Sequence, residues 1–214
     1  KKAEQELKNR YESLENKYDK FLAGNYDYKA NTYETNKINL LSNPTSLYTK
    51  QPTVYYGLMY LAKNAKKEVK IHTPYIICND YMYNELKNIK VPTTIMTNSA
   101  ENNGNIFGAV DYLNHKKDII NTGVTIKEYE GGISYHGKSM TIDDDIAIVG
   151  SFNMDMRSAY IDTELMLVIN SKNINKQLKK HNAYENNITK TTLPATVMAA
   201  GLPDDFLLDT GTSG

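Results

Sequence analysis

Apolar side chains recur at two different periods along this chain, and the switches between them mark its elements. Near the start, Leu7, Tyr11, Leu14, Tyr18 and Phe21 follow at intervals of four, three, four and three residues. That spacing lays one apolar stripe along a helix. Over residues 31–190 helical and strand periods alternate. Val54, Leu58, Leu61, Ala62 and Ala65 predict a helix over Thr53–Lys66 with Thr53 as its N-cap. Glu68–Thr73 reads as a strand that stops at Pro74, and Asp80 opens a second helix through Met82, Leu86 and Ile89. Thr93–Thr97, Val124–Tyr129 and Leu165–Ile169 read as strands. Ile106–Asn121 reads as a helix closed by Gly123, and two further strands flank a turn at Asp143–Asp145. Alternation of this kind predicts an α/β fold with a mixed sheet sandwiched between helices.

Three segments follow: a charged N-terminal helix or connector over 1–30, an α/β domain over 31–190, and a tail over 191–214. From Leu193 onward there is no Lys, Asn, Tyr or Ile, residues that dominate the rest. The tail is therefore set aside from the fold as an unrelated or appended stretch.

Composition narrows the function. The 25 Lys and Arg residues balance 25 Asp and Glu. A nucleic-acid partner is not expected, because phosphate-backbone binding is driven by clustered cations. The single cysteine, Cys78, excludes an intrachain disulfide and a Cys-rich metal site. No stretch is long and apolar enough to span a bilayer, which takes about 20 residues. The chain starts at Lys1 and not Met, and is read as a piece of a longer protein.

The chemistry gathers in one stretch. His136, Lys138, Asp143, Gly150, Ser151 and Asn153 form the pattern H-x-K-x4-D-x6-G-S-x-N. Side chains two apart on a strand share a face, so His136 and Lys138 point together, as Ser151 and Asn153 do if extended. Two such segments side by side would converge an imidazole, an ammonium, a hydroxyl and an amide. Imidazole suits nucleophilic or acid–base work near neutral pH. Lys and Asn suit the equatorial oxygens of a phosphoryl group. No carboxylate cluster or paired-His spacing accompanies them, so neither a metal nor another cofactor is implied. Of the other histidines, His72 reads as a sheet residue, and His115 and His181 sit in Lys-rich helix ends.

This pattern resembles the signature of the phospholipase D superfamily. The likeness extends upstream through Lys70–Ile76, Thr97-Asn98-Ser99 and Gly123–Gly131, and downstream through Gly150–Ser158 and Thr163-Glu164. It resembles the C-terminal catalytic half of bacterial cardiolipin synthase-like phosphatidyltransferases. The resemblance implies catalysis through a phosphohistidine, with His136 as the acid–base partner of a second histidine. Lys138 and Asn153, with Ser151, would bind phosphate. Glu164, eleven residues after Asn153, would hydrogen-bond His136 directly. Asp143 and Gly150 would be structural. The substrate implied is an anionic phospholipid, and the location the bacterial membrane, held peripherally. One departure matters: the family site takes two such motifs and this chain has one. The second is expected from a preceding N-terminal half or from a homodimer partner. Two alternatives stand beside this reading. One is a homodimeric nuclease or phosphodiesterase of the same superfamily; the other is a non-catalytic interaction module.

Overall fold

The structure is a computed structural model that describes residues 1–22, 27–183 and 189–192. The chain divides into two compact units, Lys1–Glu34 and Thr35–Gly214. The first carries helix α1 (Lys2–Leu22), on which Leu7, Tyr11 and Leu14 are exposed. The side chains of Tyr18 and Phe21, the rest of that stripe, lie outside the described residues.

The second unit holds strands β1 (Lys37–Ser42), β2 (Val69–His72), β3 (Ile76–Ile77), β4 (Thr93–Asn98) and β5 (Thr125–Tyr129). It continues with β6 (Ser139–Ile142), β7 (Ile146–Gly150), β8 (Met154–Asp155), β9 (Leu165–Asn170) and β10 (Thr189–Thr192). Its helices are α2 (Thr53–Lys63), α3 (Asp80–Lys87), α4 (Ile106–Asn121), α5 (Met156–Tyr160) and α6 (Lys172–Ala183). Among the described residues the main sheet runs β1-β9-β7-β6-β2-β4-β5-β10, with β3 and β8 paired apart. β2, β4 and β5 are parallel neighbours, and the other main-sheet pairs are antiparallel. The sheet is mixed, as the alternation predicts.

One row of side chains crosses six strands in register. Val168 pairs with Ile148, Ile148 with Met140, Met140 with Ile71, Ile71 with Ile95, and Ile95 with Ile126. All six are buried and belong to the same core as Val54, Leu58 and Met59 of α2 and Met82 and Leu86 of α3. On the other face, one residue from Met140, Ser139 accepts a hydrogen bond from Asn182 Nδ2 of α6 at 3.3 Å. Helices thus cover both faces.

Two caps differ from expectation. α2 begins after Pro52, which has no side-chain capping bond, and Val54 N–H instead donates to Asn43 Oδ1 at 3.1 Å. α3 is capped by Asn79, which accepts from Met82 N–H at 3.0 Å, while Asp80 lies in its first turn. An amide oxygen serves as well as a hydroxyl or carboxylate at either site. At the far end of α4, Gly123 adopts φ +93°, the left-handed stop that glycine allows. β10 carries the sheet two residues beyond Lys190, and the distinct stretch 193–214 lies outside the described residues.

The β6–β7 turn is closed by Asp143, which takes φ 51°. Its carboxylate accepts from the backbone N–H groups of Lys66 (2.9 Å), Lys67 (2.7 Å) and Glu68 (3.2 Å). Burial alone would raise this carboxyl's pKa, but those N–H groups and the Lys67 ammonium outweigh it, and the pKa falls below the ordinary value. A folded value lower than the unfolded one gives stability that is whole above the unfolded pKa and lost as pH falls through the folded one. Asp143→Ala is expected to cost about 2–3 kcal/mol at pH 7, the scale for hydrogen bonds to a charged acceptor. Urea melts of wild type and variant should converge as pH drops below the carboxylate range. A gap unchanged down to that pH would show that the carboxylate does not act through its charge.

Candidate active site

The antiparallel β6–β7 pair brings the motif together at one end. Ser139 pairs with Val149, and one step further Gly150 N–H donates to Lys138 O at 3.3 Å. His136 and Lys138 therefore lie in the segment leading into β6, not on the strand itself as expected. Ser151 and Asn153 leave β7 beside them. Gly150 is required here by close approach. A Cβ at that position would meet Leu165 O at 2.1 Å and Met166 Sδ at 2.6 Å, which no side chain tolerates.

His136 is exposed. Lys138 Nζ donates to the His136 carbonyl at 2.8 Å and lies 2.8 Å from ring Nδ1. The ammonium also lies 3.3 Å from Nε2, and a neutral imidazole can accept from it where an imidazolium would repel it. Electrostatics agree: loss of surrounding water and the Lys138 cation both lower the His136 pKa. Burial lowers the Lys138 pKa as well, against the pull of Glu164 and Asp155. Tyr75 stands edge-on to the imidazole, ring centroids 6.1 Å apart.

Behind the lysine lies a buried polar cluster. Glu164 accepts from Ser151 Oγ through one oxygen and from Ser158 Oγ at 2.7 Å through the other. Among the described residues no hydrogen bond joins Glu164 to His136, which corrects the expectation of direct contact. Both carboxylate oxygens are already engaged by hydroxyls, and the carboxylate reaches Lys138 through its field. Asn153 meets Ser158 Oγ through its backbone N–H and Nδ2, each at 3.3 Å, and its buried Oδ1 has no partner among the described residues. Beside Asn153 opens a groove of about 610 Å³ lined by Tyr75, Ile77, Met156, Tyr160 and Ile161. Among the described residues no group of three or more His, Cys, Asp or Glu side chains is placed to hold a metal ion.

Several positioning residues escaped sequence reasoning. Asn98, at the end of β4, donates from Nδ2 to Tyr135 O at 2.9 Å and to Pro74 O at 3.2 Å, and accepts from Tyr135 N–H at 2.7 Å. It pins the segment next to His136. Asn43 ties its Nδ2 to Ser158 O at 2.9 Å, and its N–H to Glu164 O at 3.0 Å. Asp155 caps α5 by accepting from Ser158 N–H at 2.7 Å. A buried Asn in an apolar strand was the available signal for Asn98; nothing in the sequence marked Asn43. His72 ends β2, buried, and His115 Nδ1 lies 3.0 Å from Asp111 O within α4.

Solved structures share the fold. The chain is similar to a phospholipase D family member, Nuc, from Salmonella typhimurium, with TM-score 0.58 and 17% identity, covering 73% of this chain and 98% of that one. It is also similar to phosphatidylserine synthase from Haemophilus influenzae, with TM-score 0.59 and 18% identity, over 75% of this chain and 41% of that one. The fold is thus phospholipase D-like. In sequence, the family described as "Cardiolipin synthase, PLD-like domain" matches residues 58–184, more than half of the chain, and the chain belongs to that family. Cardiolipin synthase 1 of Staphylococcus epidermidis is 31% identical over 143 residues, 65% of this chain and 28% of that protein. Cardiolipin synthase A of Wigglesworthia glossinidia brevipalpis is 25% identical over 166 residues, 69% of this chain and 32% of that protein. The chain spans under a third of the length of these relatives.

The His136–Lys138 contact makes a spectroscopic prediction. In an NMR titration the His136 midpoint should fall below that of an ordinary histidine. Lys138→Met, which removes the repelling cation, should raise it. A midpoint that Lys138→Met leaves unchanged would show that the two side chains do not share a field.

Proposed function

We propose that this chain supplies one of the two H-x-K-x4-D halves of a cardiolipin synthase-like phosphatidyltransferase acting on an anionic phospholipid. The observation that supports the reading is the Lys138 ammonium against the His136 imidazole where the β6–β7 pair ends, with Ser151 and Asn153 following directly on β7, in a chain of this family. The second motif belongs to a preceding half of a longer protein. The protein would sit peripherally on the membrane. No helix among the described residues is long and apolar enough to cross one.

The residues divide the work as follows. Lys138 and Asn153 hold the non-bridging oxygens of the phosphodiester, with the Ser151 hydroxyl beside them. The imidazole of the second motif attacks phosphorus; a P–N bond forms and the P–O bond to the leaving alcohol breaks. His136 gives that alcohol its proton. It then takes a proton from the acceptor hydroxyl, whose oxygen displaces the histidine and restores a phosphodiester. Glu164 acts through Ser151, Ser158 and its field on Lys138, and is a positioning residue. Asp143 and Gly150 hold the turn and the close strand approach. The groove beside Asn153 fits the glycerol end of the lipid, apolar on Ile77, Met156 and Ile161.

A second reading, in which two copies of one chain build the site, is favoured by one observation. The likeness to Nuc covers 98% of that chain, so a protein of about one such unit exists in this fold. Activity separates the two. In the full-length parent, His136→Ala should lower phosphatidyl transfer from phosphatidylglycerol by at least about 10²–10⁴-fold, the scale for a lost acid–base group, with an unchanged melting profile. The 214-residue chain alone should be comparably impaired as a monomer. Full activity in a strictly monomeric 214-residue chain would overturn the two-motif site. Robust, His136-dependent DNA cleavage without lipid turnover would replace the phosphatidyltransferase with a nuclease.

A further inference from the structure

We propose that the N-terminal half of α4 is the surface by which this protein lies on an anionic phospholipid bilayer, with Phe107 at its centre. The inference rests on reading the site around His136 as a phospholipid site, and adds where the membrane is. It starts from a helix face left exposed among the described residues. Ile106, Phe107, Val110 and Leu113 are 76, 87, 53 and 58% exposed. At about 100° per residue they fall within roughly 120° of arc. They therefore make one continuous stripe and not scattered exposures. The opposite side of α4 is committed to the core through Ala109, Tyr112 and Ile119, so the helix cannot roll the stripe inward. Lys117, seven residues after Val110 and exposed, continues the same arc. It places a cation where anionic headgroups would lie beside the apolar turns.

The stripe is joined to the candidate site. Gly108 comes so close to Tyr75 that a Cβ there would meet Tyr75 Cδ1 at 3.3 Å. Tyr75 stands edge-on to His136. The loop before His136 is bonded to the segment that starts α4: Gly104 N–H donates to Ser134 Oγ at 3.2 Å, and Asn102 Nδ2 to Ile133 O at 3.2 Å. Ile133 on that loop is 81% exposed. One aromatic ring thus separates the start of the stripe from the imidazole.

A diacyl phospholipid resists leaving the bilayer, because every methylene drawn into water adds to the cost. Its phosphodiester must be met near the headgroup plane. The protein surface around the reacting imidazole then has to lie against that plane. Apolar side chains at this rim are the ones that enter the acyl boundary, as on a helix lying flat in the interface. The same stripe could in principle be covered by a second copy or by another half of the protein. Its position at the rim of the site and its continuation into Lys117 favour lipid.

The test exploits a sequence without tryptophan. Phe107→Trp makes a single reporter on α4. Ile38→Trp makes a control on β1, the opposite edge of the sheet. With phosphatidylglycerol vesicles, the Phe107→Trp emission should move to the blue and be quenched by brominated acyl chains, while the control does neither. Phe107→Ser, and Val110→Ser as a second variant, should each lower vesicle partitioning with an unchanged circular dichroism spectrum. Phe107→Ser should do so roughly 10–100-fold, the worth of one buried aromatic side chain. Lys117→Glu should weaken binding to phosphatidylglycerol selectively. No shift at Phe107→Trp, equal partitioning into phosphatidylcholine, or a blue shift that depends on protein concentration without lipid would each overturn the proposal. The last would assign the stripe to a second copy of the chain. Binding is read without turnover, so the two proposals fail separately. Docking at α4 with no lipid chemistry in the parent overturns the function; lipid chemistry with a silent Phe107→Trp overturns the docking.

Discussion

The register of β6 on β7 is the constraint on which the site depends. It is fixed at one end by Asp143, whose carboxylate gathers three backbone N–H groups of the 66–68 segment. At the other end it is fixed by Gly150, where a Cβ would strike the Leu165 carbonyl. Between them Met140 opposes Ile148, inside a row of buried side chains that runs from Val168 to Ile126. A slip of one residue would turn Met140 and Ile148 to the polar face and disengage Lys138 from Gly150. The chemistry at the open end of this pair is thereby held by the core and not by the loop that carries it.

The polar groups behind the site follow from that placement. Glu164 ends the return from α5 to β9 and is buried where β9 begins beside the end of β7. A buried carboxylate must be satisfied, and Ser151 and Ser158 do so at short range. The backbone of Asn43, the residue after β1, reaches the same place through the Glu164 carbonyl. The outer edge of the sheet therefore braces the candidate site. On the other flank Asn98 ties β4 to the segment next to His136. Strands on both sides of β6 fix its leading segment.

The parts of this arrangement legible in the sequence were those written in short spacings. H-x-K-x4-D-x6-G-S-x-N is readable because a hairpin converts fixed spacing into fixed adjacency. Helix α4 and its glycine stop are readable because an apolar period and a left-handed residue coincide at Gly123. What escaped lacked an apolar period or depended on distant partners. β1 is an edge strand with Ile38 and Leu40 turned outward, so its pattern carries little burial signal. Of α6 only the Lys-rich end around His181 was legible: the helix packs largely through Asn175, Lys179 and Asn182, which donate to Ile146 O, Glu68 and Ser139, and such polar contacts carry little apolar signal. The caps of α2 and α3 moved because Asn43 and Asn79 competed with the nearer hydroxyl and carboxylate. Glu164 was singled out through the family resemblance, and its partners were not foreseen. Two serines within reach of one buried carboxylate are a fact of tertiary structure.

The contact between Lys138 and His136 bears on how such a half-site would be primed. In the free chain one ammonium serves three neighbours: the imidazole, the His136 carbonyl and the field of Glu164 and Asp155. Its charge, added to the loss of water around the ring, lowers the pKa of the imidazole. On the proposed reading, a phosphodiester anion would occupy the space between Lys138 and Asn153 and compete for that ammonium. Drawing Lys138 toward the phosphate removes a repelling cation from the ring and adds an anion near it, and both changes favour the imidazolium. Substrate arrival would itself turn His136 from a resting base into the acid that the leaving alcohol needs. Departure of the phosphate would reverse the change. On that reading the lysine would do more than hold phosphate: it would couple occupancy of the site to the protonation of the histidine beside it.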